Sequence, residues 1–157
     1  MAVAQWSKHW SAQKEDAVSQ SVAGRVMPMI VVRSVDAIRN FYVDTLGFSH
    51  VMGMVGKDGQ LDFCTVVMGE ARIMFMRAPI DDAPSPDGKQ PVEIYLEVED
   101  VDAFHHRLKK NGVAISDPLT LQWWGDRTFK VLDPNGYEIW FYTNVAEPTP
   151  PQGAKLV

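Results

Sequence analysis

The sequence predicts an α+β fold built from two tandem βαβββ modules, and three observations carry that prediction. An extended apolar run followed by a helical period occurs twice in the same order; the copies are related by a shift of 66 residues; a Pro/Asp/Gly-rich stretch separates them. Under the shift Val32 falls on Val98, Val35-Asp36-Ala37 on Val101-Asp102-Ala103, Phe63 on Phe129, Ile73 on Ile139 and Phe75 on Phe141, while Gly47 misses Gly112 by one place. Coincidences at first strand, helix and last strand under one shift mark a repeat.

Residues 1–25 stand apart as an N-terminal extension, polar except for Trp6, Trp10 and a few small apolar side chains. The two tryptophans are spaced to share a helical face, so the segment reads either as a docking arm or as a frayed extension. The first module, 26–77, opens with the strand "VMPMIVV", continues through the helical stretch "SVDAIRNFYVDTLGF" closed by Gly47, and ends in three shorter extended segments. A linker, "APIDDAPSPDGKQP", covers 78–91 and has no apolar period. In the second module, 92–145, the order restarts with the strand "VEIYLEV" and the helix "DVDAFHHRLKKNGV", closed by Gly112. A flexible tail, 146–157, rich in proline and polar residues, is expected at the end.

Composition narrows the function classes. With 157 residues, 46% hydrophobic and 22% charged, the chain reads as a soluble globular protein with enough apolar content for a sizeable core. Its net charge of -5 and lack of a basic run argue against nucleic acid or an anionic membrane as the partner. The single cysteine, Cys64, excludes an intramolecular disulfide framework and suits a reducing cytoplasm. No stretch has the apolar length of a signal core or a membrane span, so a cytoplasmic location is expected.

Alternation along the strands separates two faces. Ile30 and Val32, Ile73 and Phe75, Ile94, Leu96 and Val98, and Ile139 and Phe141 form rows expected to pack beneath the helices. The opposite rows are Met27, Met29 and Val31; Arg72, Met74 and Met76; Glu93, Tyr95 and Glu97; and Glu138, Trp140 and Tyr142. Strands apolar on both faces need a second cover, whether another subunit or a ligand.

The stretches "SVDAIRNFYVDTLGF" and "WGDRTFKVLDPNGYEIWF" resemble the vicinal oxygen chelate superfamily of glyoxalases, extradiol dioxygenases, fosfomycin-resistance enzymes and bleomycin-resistance proteins. The resemblance implies two modules whose sheets curve around a concave cavity, commonly in a homodimer. It also implies metal ligands on the first and last strands of each module in the metal-dependent members. Aligned on the helix and turn motifs, those positions here are Met27, Met74, Glu93 and Trp140. One carboxylate, two thioethers and an indole do not satisfy a hard or borderline cation, so no metal or other cofactor is expected. The branch that fits is the metal-free bleomycin-resistance type, which sequesters a drug without transforming it.

The expected ligand-binding set is therefore Met27, Met29, Met74, Met76, Glu93, Tyr95, Trp123, Trp124, Trp140 and Tyr142. Thioethers adapt to irregular shapes and indole offers an electron-rich face, which suits a small planar organic molecule, cationic by preference, such as an antibiotic or metabolite. One of Trp123 and Trp124 is expected to be a stacking wall and the other packing. Glu93 could pair with a cation or act as a general acid or base if the chain is an enzyme. Arg127 reads as a brace between loops, His105 and His106 as solvated, and Cys64 as a buried inert thiol. Two functions compete: sequestration by a homodimer, and a lyase, isomerase or dioxygenase of the same superfamily that has lost its metal or rebuilt the site from Glu93 with His50 or Glu138. A structural dimer whose aromatic rows are only packing is the third possibility.

Overall fold

Strand alternation and the two helical periods become two successive βαβββ units in the computed structural model, which describes residues 25–79, 90, 92–154 and 156. The first unit contains β1 (Met29–Val32), α1 (Val35–Asn40), β2 (Ser49–Val55), β3 (Leu61–Met68) and β4 (Ala71–Arg77). The second contains β5 (Ile94–Glu97), α2 (Val101–Lys110), β6 (Ile115–Leu121), β7 (Asp126–Leu132) and β8 (Glu138–Asn144). Each forms a four-stranded sheet, ordered β1-β4-β3-β2 and β5-β8-β7-β6. The first strand of each unit runs parallel to the last and the other pairs are antiparallel, so both sheets are mixed. Trp6, Trp10 and most of the expected linker lie outside the described residues.

Capping explains where the helices begin. Ser34 and Asp100 occupy equivalent places, and each side-chain oxygen accepts the backbone N–H three residues on, from Ala37 at 3.2 Å and Ala103 at 2.9 Å. Past Asn40, α1 widens into a π-helical turn over Phe41–Leu46, in which Tyr42 and Leu46 are both fully buried. It stops at Gly47, whose φ of 90° is the left-handed conformation that a Cβ disfavours.

The leading strands are shorter than their apolar runs suggest. Pro28 has no N–H to offer a ladder, so β1 begins after it, although the Pro28 carbonyl still accepts the Met74 N–H at 2.9 Å. Met27 and Glu93 thus lie on the leads into β1 and β5, outside the strands themselves.

Pairing corrects one correspondence in the repeat. Phe129 lies opposite Phe141 and is buried on the helix side, whereas Phe63 lies opposite Met76 on the other face; the residue opposite Phe75 is Cys64. From Gly47 and Gly112 through β3 and β7 the modules are therefore offset by one residue less than at β1 and β5, at the caps Ser34 and Asp100, and in their last strands. The first module's helical segment, with its π turn, carries one extra residue, and the turn from β7 to β8 carries another that restores the shift.

Ile30, Val32, Ile73, Phe75, Ile94, Ile139 and Phe141 are buried, with Leu96 and Val98 packed against them, as the alternation predicts. These rows and the inward sides of the helices belong to one hydrophobic cluster spanning both modules. Polar contacts join the modules as well. The Tyr42 hydroxyl donates to Asp133 Oδ2 at 3.2 Å and Arg107 Nη2 donates to the Leu46 carbonyl at 3.5 Å. With the helix sides turned to this shared core, the other sheet faces are left open.

Candidate functional site

On the first sheet the open face is dominated by thioethers. Register aligns Met29 with Met74, Thr65 and Met52 across the strands, and Val31 with Met76, Phe63 and Met54. Met29 is 52% exposed, and Met27, Met52, Met54 and Met76 are exposed with it. A flexible, polarisable and unbranched surface of this kind moulds itself to irregular apolar shapes. Met52, Met54 and Phe63 were not singled out by the sequence, because β2 contains a register shift after His50 that breaks simple alternation.

The second sheet carries a hydrogen-bonded aromatic array. Parallel pairing sets Tyr95 beside Trp140 and Glu97 beside Tyr142. The Tyr95 ring stacks on Tyr142 at 4.4 Å between centroids and tilts against Trp140 at 5.6 Å. Its hydroxyl donates to Asp126 Oδ2 at 2.7 Å, the Trp124 Nε1–H reaches the same carboxylate at 3.1 Å and the Tyr95 oxygen at 3.0 Å, and Asn144 Nδ2 donates to Asp126 Oδ1 at 2.9 Å. Asp126 thus pins three side chains from three segments. Burial, with the Asp126 carboxylate adding to it, pushes the Tyr95 hydroxyl up to about 12, so it remains a donor at neutral pH.

Trp140 is held from two directions. Its Nε1–H donates to Glu93 Oε2 at 2.7 Å, and Lys130 Nζ lies 3.8 Å from the centre of its ring. Lys130 in turn sits 3.5 Å from Glu138 Oε2 and 3.9 Å from Asp117 Oδ2. Trp124 is half-buried in the Asp126 network, while Trp123 packs edge-on against it and stays 44% exposed. Their turn is fixed by Gly125, whose carbonyl accepts the N–H groups of Val145 and Ala146, and by Thr149, which donates to the Trp123 carbonyl at 2.6 Å.

The predicted residues therefore form two groups. Glu93, Tyr95, Trp124, Trp140 and Tyr142 make one connected array with Trp123 at its edge, while Met29, Met74 and Met76 lie on the other sheet and Met27 on the lead into it. A groove of about 790 Å³ follows the edge strand β5, where Tyr95, Glu97 and Tyr142 meet the β3–β4 turn, Phe104 and Arg107. Sequence reasoning missed Lys130, Asp126 and Asn144. The signal was available for the first two, since alternation along β7 sets Asp126, Thr128 and Lys130 on one face.

Other polar candidates resolve into supporting roles. Arg127 binds Asp102 through Nε and Nη2 at 2.7 and 2.8 Å, tying α2 to β7. That contact holds the Asp102 carboxyl below the usual range. His105 is half-buried with its edge against Phe129, and burial lowers its pKa; His106 is exposed. Cys64 is buried, and desolvation raises its thiol to about 11. His50 is exposed on β2. Among the described residues no three His, Cys, Asp or Glu side chains come together to hold a metal ion. The donor chemistry at Met27, Met74, Glu93 and Trp140 does not fit one either, because the Trp140 N–H already occupies a Glu93 oxygen.

Two mixed sheets, each covered on one side by its own helix and bare on the other, define a paired βαβββ protein. The chain belongs to the Glyoxalase/Bleomycin resistance protein/Dioxygenase superfamily, whose family model matches residues 24–141. An uncharacterised protein of Mycobacterium tuberculosis is 29% identical over 131 residues, which cover 80% of this chain and 77% of that protein. A bleomycin resistance protein of Geobacillus stearothermophilus is 27% identical over 132 residues, 76% of this chain and 96% of that one. Among solved structures, the bleomycin-binding protein of the bleomycin producer Streptomyces verticillus, complexed with copper(II)-bleomycin, superposes with a TM-score of 0.58 at 26% identity, covering 82% of this chain and 100% of that chain. No helix among the described residues is long and apolar enough to cross a membrane.

Proposed function

We propose that this chain binds and sequesters a small planar organic molecule, of the antibiotic or secondary-metabolite class, without a metal and without transforming it. The observation that carries the reading is the open Met and aromatic surface: Met29, Tyr95 and Trp123 keep 52%, 43% and 44% of their area exposed on faces that an isolated soluble chain has no reason to leave bare. A homodimer in the cytoplasm fits the same surface. The thioether face of one copy would lie opposite the aromatic face of its partner, and a ligand would fill the space between them. The bleomycin-binding relative supports the ligand class.

Native mass spectrometry of protein purified without added metal tests this reading. The expected species is a dimer that carries no stoichiometric transition metal and takes up a planar aromatic compound. A monomer at micromolar concentration would overturn the paired-face arrangement. One ion per chain, lost on Glu93→Gln, would replace sequestration with a metal-dependent activity.

A further inference from the structure

We infer that Lys130 sets the charge of the ligand, closing Trp140 to positively charged rings and selecting a planar body that is neutral where it meets this tryptophan. The inference rests on the binding reading above and deepens it. An indole face attracts a cation because of the ring's quadrupole, and that alone would make Trp140 a cation platform. Here the place is taken. The Lys130 side chain is only 13% exposed, and its amino group lies 3.8 Å from the ring centre. It is kept there by Glu138, itself 8% exposed, and by Asp117, which come from different strands.

The rest of the ring is equally committed. Trp140 tilts against Tyr95 at 5.6 Å and against Trp124 at 6.2 Å, and its N–H is bound to Glu93. A ligand cation seeking this ring would have to displace the Lys130 ammonium from it, against the two carboxylates that hold that ammonium in place. Among the described residues the exposed aromatic rings are Tyr95 and Trp123. Stacking therefore falls to those two rings, and Trp140 acts as a positioning residue whose cation-π contact is already filled from within the chain.

Two dyes of nearly the same shape separate charge from fit: acridine, uncharged at about pH 8, and its permanently cationic N-methylacridinium derivative. Their affinities are measured on the full chain by quenching of tryptophan emission. The wild type should prefer acridine. Lys130→Gln, which keeps a hydrogen-bond donor between Glu138 and Asp117, should shift the cation-to-neutral affinity ratio towards the cation by about tenfold, the scale of one cation-π contact. Lys130→Met provides a second charge-free variant should the first fold poorly. Lys130→Arg should keep the wild-type ratio. Lys110→Met, at the exposed end of α2, should also leave it unchanged.

Acridine binding with the same ratio in the wild type and both charge-free variants would overturn this inference alone. An equal shift in Lys110→Met would do so too, because the effect would then be long-range charge. If neither dye bound any of these chains, the sequestration reading would fall, and this inference with it.

Discussion

Tyr42→Phe is the most direct test of how the two modules are locked together. Tyr42 is fully buried beneath β4, and its hydroxyl crosses to Asp133 Oδ2 in the turn before β8. Asp133 is 4% exposed; its other oxygen accepts the Asn135 and Tyr137 N–H groups at 2.8 and 3.0 Å. Removing the hydroxyl leaves Oδ2 buried without that donor, and losing a hydrogen bond to a charged group costs about 1.5 to 3 kcal/mol. With a urea m-value of about 2 kcal/mol/M, the midpoint should fall by roughly 1 M at fixed protein concentration. The pH dependence carries a sign. Burial is the largest cause of the Asp133 shift, and it raises this carboxyl above its ordinary value. In the window from the ordinary carboxylate range up to the raised folded value, the unfolded chain releases the proton first, so the wild type loses stability as pH rises. Asp133→Asn removes that loss, and its stability deficit relative to wild type should narrow from acid towards neutral pH. A Tyr42→Phe midpoint within about 0.2 M of wild type, or a deficit for Asp133→Asn that widens with pH, would refute the reasoning.

Two further outcomes are expected. Gly125→Ala should collapse the Trp123–Trp124 turn, because φ is 97° and an added Cβ would lie 2.0 Å from the Ala146 carbonyl oxygen. A cost of at least about 1 to 3 kcal/mol follows from the backbone conformation alone, read as a lower thermal midpoint with altered tryptophan emission; an unchanged midpoint would show that the tail does not lie across Gly125. Cys64, buried and with its thiol raised to about 11, should react with an aromatic disulfide reagent at neutral pH only in urea. Rapid stoichiometric labelling of the native protein would contradict that burial.

The fold was legible because two independent periodicities agreed. Period-two rows such as Ile73 and Phe75, or Ile139 and Phe141, needed an apolar cover, and the amphipathic helix in the same module supplied it. The capping pair Ser34 and Asp100 marks the same boundary in both copies. One residue of slippage was not legible. The segment from Ser34 to Gly47 is one residue longer than that from Asp100 to Gly112, and the β7–β8 turn is one longer than its counterpart; the two cancel, so a constant shift passes through them, which is why Phe63 and Phe129 seemed equivalent and yet occupy opposite faces.

The candidate site was legible by face but not by contact. Alternation could place Trp140 beside Tyr95 across β8 and β5, since parallel neighbours share a face. It could not show what each ring touches. Lys130 is the direct cross-strand partner of Trp140, and carboxylates on β6 and β8 flank its amino group beside that ring. What alternation lacks is the β7–β8 register, which pairs Lys130 with Trp140 and was not assigned from the sequence. The expectation of a cationic ligand came from counting Trp140 as a free indole face. With Lys130 seated 3.8 Å from its centre, the same aromatic residue argues for the opposite charge preference, although neither residue nor strand has changed.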